Sequence, residues 1–337
     1  MITIKDVANH AGVSIATVSR VMNNADNVGE EYRTAVLKAI EELDYRPNAV
    51  AQSLKSRRFK TIGVIVSDFS VSFFEWIIKD IEQKFCIKGH MLLFVNTYDS
   101  PELEKRGIQF MLEKQADIIL ICSTGENEDY LKKIQHEGIS VIFFDRRPRE
   151  YAFPMVIVDK REAMYRTLDY LWGIGHRRIA LISGPLQMTS NYDRYMGITD
   201  YLYDHNISPR AISYFFGEFS EKYGYSTMKA LMKSKSGPTA IVTGSSVIAI
   251  GVYVYCAENQ LRIPEDVSVV SFGDFSCGQI IYPRLSYIDD EHNELSKHLI
   301  RMIQKAFNEE LTEKEIIIHS QIQINHSAVE ISGVVES

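Results

Sequence analysis

Cysteine is scarce in this chain, and its placement is as telling as its number. The 337 residues hold 4 of them. Cys86, Cys122, Cys256 and Cys277 stand far apart, without the C-x-x-C or Cys/His spacing of a metal site. They read as free, buried thiols of a reducing compartment, which places the protein in the cytoplasm. Long apolar runs are missing as well. The nearest candidate, Ile241 to Cys256, is broken by Thr243, Gly244, Ser245, Ser246 and Gly251, so it reads as a buried strand and helix, not a membrane span. The N-terminus carries Asp6 and His10 where a signal peptide needs continuous apolar residues, so neither export nor a membrane partner is expected. Catalytic signatures are absent too: there is no Gly-x4-Gly-Lys-Ser/Thr phosphate loop and no Gly-x-Ser-x-Gly elbow. His176, in Ile174-Gly175-His176-Arg177-Arg178, is the histidine one would nominate as a base. It sits in a turn leading into a strand and reads as a surface or capping residue. We expect no enzyme, no catalytic residue, no cofactor and no metal.

What is present is a globular composition, 45% hydrophobic and 24% charged, long enough for two or three domains. The net charge of −7 is unevenly divided: residues 1–60 carry +2 and the remainder −9. Lys55, Arg57, Arg58 and Lys60 form a basic cluster, so one end of an acidic molecule is suited to phosphate. Thr3 followed by Asp6 has capping-box spacing, and predicts a helix from about Ile4 to Ala11 with Gly12 at its end. Ser14 then caps a second helix, with Val13 and Val18 spaced as a hydrophobic staple. Val18 and Val21 face inward on that helix, whereas Ile15 with Ser19 and Ala16 with Arg20 share the opposite face. A third helix, Glu31 to Leu43, places Tyr32, Val36, Ala39, Ile40 and Leu43 on one side. Three short helices with a tight glycine turn describe a helix-turn-helix.

The string Ile2-Thr3-Ile4-Lys5-Asp6-Val7-Ala8, then Ala11 through Val21, then Asn23-Asn24, resembles the head of the lactose-repressor (LacI) family along its whole length. So does Tyr45-Arg46-Pro47-Asn48-Ala49-Val50-Ala51-Gln52-Ser53-Leu54. The resemblance implies a transcriptional regulator that binds double-stranded operator DNA. Its second helix would enter the major groove, with Ile15, Ala16 and Arg20 at base edges; Arg20 alone of the three can make a bidentate contact, most naturally to guanine. Thr3, Ser14, Thr17, Ser19 and Asn23 would hold phosphates. Residues 47–60 would be a hinge helix and linker that orders on the operator, with Asn48 starting the helix, Ala51 packing closely and Leu54 wedging a minor-groove step. Residues 1–46 are then the head.

From Thr61 onward, short β-branched runs alternate with amphipathic helices. Strands are expected at 62–66, 91–95, 118–121, 141–144, 155–158, 179–182, 240–242 and 267–270, with helices such as Phe73 to Phe85 and Leu103 to Lys114 between them. Such alternation is the signature of α/β architecture with parallel sheets. It resembles the two-lobed, periplasmic-binding-protein-like core of the same family over residues 61–330. The N-lobe would comprise about 61–158 and 290–318, the C-lobe about 159–289 and 319–330. Ligands of open parallel sheets sit beyond the carboxyl ends of the strands. A small-molecule effector, a sugar, sugar phosphate or other small polar ligand, would therefore lie between the lobes near Phe73, Phe74, Asp145, Arg194, Ser245 and Asp274. Asp145 and Arg194 fall where the family binds its effector. Other positions depart from its pattern: Ser245-Ser246 replaces Asn-Asp, Val71-Ser72 replaces Asn-Pro, and Gly273 stands where an aspartate is usual. These losses remove groups that hold sugar hydroxyls.

The tail from Gln321 has no leucine heptad, so a homodimer is expected, reading a pseudo-palindrome with two heads. Repression is the expected polarity. Activation by the same machinery, dual control, or control by a protein partner are the alternatives, since polarity depends on where the operator lies.

Overall fold

A computed structural model describes residues 2–22, 28–45, 60–69, 71–234, 236–276 and 278–331. Asn23, Asn48, Ala51 and Leu54, for which DNA contacts are expected, lie outside the described residues. The chain forms two compact units, Met1–Phe59 and Lys60–Ser337.

In the first unit, helix α1 (Ile4–His10) begins at Thr3, whose N–H and hydroxyl both donate to the Asp6 carboxylate at 2.7 Å. The capping box expected of Thr3 and Asp6 is thus formed, and the threonine hydroxyl adds a bond to the same carboxylate. Gly12, at φ +66°, makes the turn that a side chain would strain. Helix α2 (Ile15–Met22) follows, with the Ser14 hydroxyl accepting the Thr17 N–H at 3.1 Å. Helix α3 (Glu30–Glu42) closes the unit. Val7, Ala8, Val18, Val21, Val36 and Ala39 form the core, with Ile40 and Leu43 packed at its margin. Tyr32, expected on the inner side of α3, is instead 55% exposed. Helices of 7 and 8 residues are too short to cover the first turn of one of 13.

The second unit contains two six-stranded sheets. The N-lobe sheet uses β1 (Thr61–Val66), β2 (Met91–Asn96), β3 (Ile118–Ile121), β4 (Ser140–Phe144), β5 (Met155–Val158) and β11 (Glu315–Ile318), in the order β11-β5-β4-β3-β1-β2, parallel throughout. The C-lobe sheet uses β6 (Ile179–Ser183), β7 (Ile212–Phe216), β8 (Ala240–Thr243), β9 (Ser268–Phe272), β10 (Ser286–Ile288) and β12 (Ile322–Gln323), in the order β12-β10-β9-β8-β6-β7. Its strands are parallel except for β12, which runs antiparallel to β10.

Alternation along each strand feeds two apolar layers, as a sheet covered on both faces requires. Ile62, Val64 and Val66 pack under α4 (Ser72–Phe85) and α11 (His292–Phe307). Ile65 and Ile119 face α5 (Pro101–Glu113) and α6 (Glu128–His136) on the other side. In the C-lobe, α7 (Lys160–Gly173) and α8 (Thr189–Asp204) cover one face. Helices α9 (Glu221–Leu231) and α10 (Ser246–Glu258) cover the other. The chain passes between sheets after β5, after β10 and between β11 and β12. His176, expected near the surface, is buried at 2% exposure, its Nδ1 2.9 Å from the Thr239 hydroxyl. The turn that precedes β6 is roofed by neighbouring chain, with the Gly175 backbone packed against Ile331.

Candidate functional site

The outer face of α2 is the first candidate surface. Burial of Val18 and Val21 leaves Ile15, Ala16 and Arg20 exposed together. Ser14 and Thr17 flank them, with hydroxyls 2.9 Å apart, and Ser19 is half-buried beside them.

The second is a cavity of about 450 Å³ between the two lobes, at the carboxyl ends of their strands. The N-lobe contributes Ser67 and Asp68 beyond β1, Asp99 beyond β2, and Asp145 and Arg146 beyond β4, while the crossing that follows β10 of the C-lobe sheet contributes Asp290. Phe73 and Phe74 line it from α4 while their rings also belong to the core, edge-to-face at 5.2 Å. From the C-lobe come Ser190 and Arg194 of α8, Phe219 and Ser220 before α9, Ser245 and Ser246 at the start of α10, Phe272 at the end of β9 and Gly273 after it.

Of the six cleft residues expected from sequence, Phe73, Phe74, Asp145, Arg194 and Ser245 line this one cavity; Asp274 is not among the described residues that do. Gly273, at φ +72°, turns the chain there, and the Asp274 carboxylate accepts the Phe275 N–H at 2.8 Å instead. Burial pushes its pKa up. Ser123 and Thr124, which also follow a strand, turn their hydroxyls to the fully buried Glu104, at 3.3 and 2.9 Å. Sequence reasoning missed Asp99, Arg146, Lys160 and Asp290. Arg146 directly follows Asp145, and Lys160 and Asp290 occupy two of the crossings between lobes. Extending the strand-end rule to every strand and to the crossings would have found them.

The charges in the cavity are mostly spoken for. The Arg146 guanidinium, 4% exposed, grips Asp99 through two bonds of 2.6 and 3.2 Å. Lys160 reaches the Asp145 carboxylate at 2.8 Å and its carbonyl oxygen at 2.7 Å. Burial alone would raise the Asp145 pKa, but Lys160 and Arg146 outweigh it and hold the carboxyl below its usual range. Arg194 differs. It is 7% exposed, lies over the Phe272 ring at 4.3 Å and donates to Asn191 at 2.9 Å, while its buried Nε has no partner among the described residues. Burial lowers its pKa to about 10, so it remains a cation at neutral pH.

Two groups have ligand atoms close enough for a metal, Asp159 with Glu162 and His319, and Asp289 with Asp290 and His292. In each the histidine is already paired with a carboxylate, Glu162 or Asp290, and Arg166 occupies Glu162 at 2.6 Å. Among the described residues no helix is long and apolar enough to cross a membrane.

A helix-turn-helix with an exposed second helix, on a chain whose other unit is a two-lobed α/β core with a polar interlobe cavity, defines a ligand-responsive DNA-binding regulator. Comparison with known proteins agrees. Residues 59–327 match the model of periplasmic binding proteins and the sugar binding domain of the LacI family, and residues 3–48 match bacterial regulatory proteins of the lacI family. The HTH-type transcriptional regulator RegA of Clostridium saccharobutylicum is 30% identical over 329 residues, 97% of this chain and 99% of that protein. The HTH-type transcriptional repressor PurR of Photorhabdus laumondii is 30% identical over 333 residues, 98% of each. The Lac repressor dimer bound to operator and the anti-inducer ONPF shares the fold, with a TM-score of 0.82 at 24% identity over 97% of this chain and 99% of that one. The chain belongs to the LacI family of bacterial regulatory proteins, and is a DNA-binding transcriptional regulator.

Proposed function

We propose that the protein is a dimeric repressor that reads a pseudo-palindromic operator and is controlled by a small polar ligand between its lobes. The observation that carries this reading is the cavity at the facing strand ends, on a chain that also presents Ile15, Ala16 and Arg20 on an open helix face. In this division residues 1–46 read DNA, 47–60 form the hinge, and 61–330 bind ligand and dimerise. Helix α2 enters the major groove, with Thr3, Ser14, Thr17, Ser19 and Asn23 on phosphates, and Asn48, Ala51 and Leu54 serve the minor groove. Repression is favoured because relatives such as PurR are repressors.

Ligand control follows from the two-lobed construction. A ligand that contacts both walls favours one lobe arrangement, and inverting a 1:99 population takes about 5.5 kcal/mol of differential affinity. The cavity binds and does not catalyse in this reading: Arg146 and Lys160 are held in ion pairs, and burial drives the adjacent Cys122 thiol up, away from the reactive thiolate. The protein works in the cytoplasm, where its DNA and effector are.

The test is selection of binding sites from random duplex DNA by the full chain. A twofold-symmetric site is expected. Recovery of an unpaired half-site, or of no preferred sequence, would overturn the proposal.

A further inference from the structure

The chain enters its second unit at Lys60, immediately before β1, and side chains hold the point of entry. At the end of a strand the ladder gives out, and each backbone N–H needs another acceptor. The Lys60 N–H donates to Nδ1 of His90, just before β2, at 3.2 Å. The Thr61 N–H donates to the Asp117 carboxylate, just before β3, at 2.8 Å. Strand β1 lies between β2 and β3, so the root of the linker is gripped from both sides. The Lys60 carbonyl accepts the Met91 N–H at 3.0 Å, and the Lys60 ammonium reaches the Phe307 carbonyl at 3.4 Å.

His90 is itself fixed in place. Its ring stacks on Phe307 at the end of α11, with centroids 5.0 Å apart and planes at 20°. Phe85, at the end of α4, meets the same ring edge-on at 5.8 Å. A backbone amide can only donate, so the His90 ring accepts at Nδ1, carries its hydrogen on Nε2 and is neutral. Protonation would turn that acceptor into a second donor facing the Lys60 N–H. It would also set a cation beside the Lys60 ammonium, which stands over the Phe307 ring at 5.3 Å. Of the elements packed on the ring, the start of β1 brings this ammonium, and the ends of α4 and α11 bring aromatic faces. Among the described residues no carboxylate is paired with His90 to offset a charge there.

We infer that His90 is the positioning residue at the root of the linker: neutral, it fixes where residues 47–59 meet the core, and protonated, it lets go and weakens operator binding. This rests on the proposal that residues 47–60 form the hinge, and deepens it by naming the group that holds its origin. Imidazoles change charge between about pH 5 and pH 8, so modest acidification is the signal this anchor reads.

The experiment measures operator affinity of the full chain at constant ionic strength, from about pH 8 to pH 5, for wild type, H90N and H90F. Asparagine sets an amide oxygen near the place of Nδ1 and does not titrate, whereas phenylalanine keeps a ring on Phe307 without the acceptor. Thermal unfolding at each pH shows that the variants stay folded. Wild type should lose about fivefold in affinity relative to H90N on acidification, the cost of ordering one freed backbone residue. H90F should be weaker than H90N by about the same factor at every pH. Other titrating groups, such as His10 beside Glu42 in the head, are common to all three proteins and cancel in the ratios. A wild-type to H90N ratio that stays flat, or H90F binding as tightly as H90N, would overturn the inference. Hydrogen exchange of the Lys60 amide, fast in H90F and slow in H90N, reads the anchor without DNA. If exchange responds in this way and operator affinity does not, residues 47–60 do not couple the core to DNA, and the hinge proposal falls with the inference. If exchange is the same in all three proteins, the anchor falls and the hinge proposal stands.

Discussion

Arg20, Arg146 and His176 show how differently single side chains act in this protein. Arg20 is exposed on α2, so its loss costs the fold little. Changing Arg20 to Ala should weaken operator binding by about 1–3 kcal/mol and relax preference at one base pair. Binding to a set of single-base operator variants checks this, and an unchanged preference would remove Arg20 from base reading. Arg146 is buried, and Asp99 meets its charge with two bonds. Asp99→Ala strands that charge and should destabilise the core by about 3–5 kcal/mol in denaturant unfolding. An effect below about 1 kcal/mol would mean that water replaces the carboxylate. His176 is held neutral: burial lowers its pKa below the 6.5 usual for a histidine. The unfolded chain therefore takes up the proton first. The stability supplied by the neutral ring is complete above pH 6.5 and is lost as pH falls toward the folded value. His176→Asn should flatten the fall in melting temperature between about pH 7 and pH 5.5, and a parallel fall in both proteins would contradict this. None of this was legible for His176, because nothing in Ile174-Gly175-His176 announces that Ile331, far along the chain, packs against the neighbouring Gly175. Asp145 and Arg194 could be placed because a strand end and a family position fixed them. Asp274 missed the cavity by a single residue, at the turn where Gly273 adopts a positive φ.

At the scale of elements, the closest approach in the C-lobe is between α9 and α10. A Cβ on Gly251 would fall 2.0 Å from the Glu221 carbonyl oxygen, and one on Gly224 2.1 Å from that of Ile248. Neither backbone can yield without moving a whole helix. Gly251→Ala should cost about 1–3 kcal/mol or more of core stability, seen as a lower urea midpoint with an unchanged slope. A midpoint equal to wild type would show that the helices can part freely. The same scale explains which elements the sequence disclosed. Strands β1, β3, β8 and β9 are buried β-branched runs between loops, and β-branched residues rarely gather so densely elsewhere. Strand β7 was hidden: Ile212-Ser213-Tyr214-Phe215-Phe216 lies at a sheet edge, with Ser213 exposed and its aromatics half-covered, so its pattern is not that of a buried strand. Strands β10 and β12 have 3 and 2 residues, too few for periodicity to register, and β11 is an edge strand with only Ile318 buried. Their partners, not their composition, define them.

For the whole molecule, the question is what holds the lobes in the observed arrangement. The segment after β4 crosses the cleft mouth to the start of α8. Arg147 meets Asp193 at 3.0 Å, the Thr189 hydroxyl donates to the Arg147 carbonyl at 3.0 Å, and Arg149 donates to the Gln187 carbonyl at 2.7 Å. Arg149 is anchored on its own lobe by Glu126 at 2.8 Å, so it behaves as a bolt fixed at one end. Its side chain is about one-third exposed, which discounts a charged hydrogen bond to roughly 1 kcal/mol, or about fivefold in the equilibrium between lobe arrangements. Arg147 and Asp193 are also partly open to solvent and add a term of similar or smaller size. Removing both bolts, as R147A with R149A, should shift the ligand-free protein toward a more open core. Neither residue lies at the DNA-reading face or within a buried core, so the fold should survive. Small-angle scattering of the ligand-free protein checks this: a larger radius of gyration than wild type is expected, with an unchanged spectrum of secondary structure. If scattering from the double variant superposes on wild type, the lobes are held by the crossing strands and by inner contacts such as Lys160 with Asp145, and the mouth contacts follow closure without stabilising it.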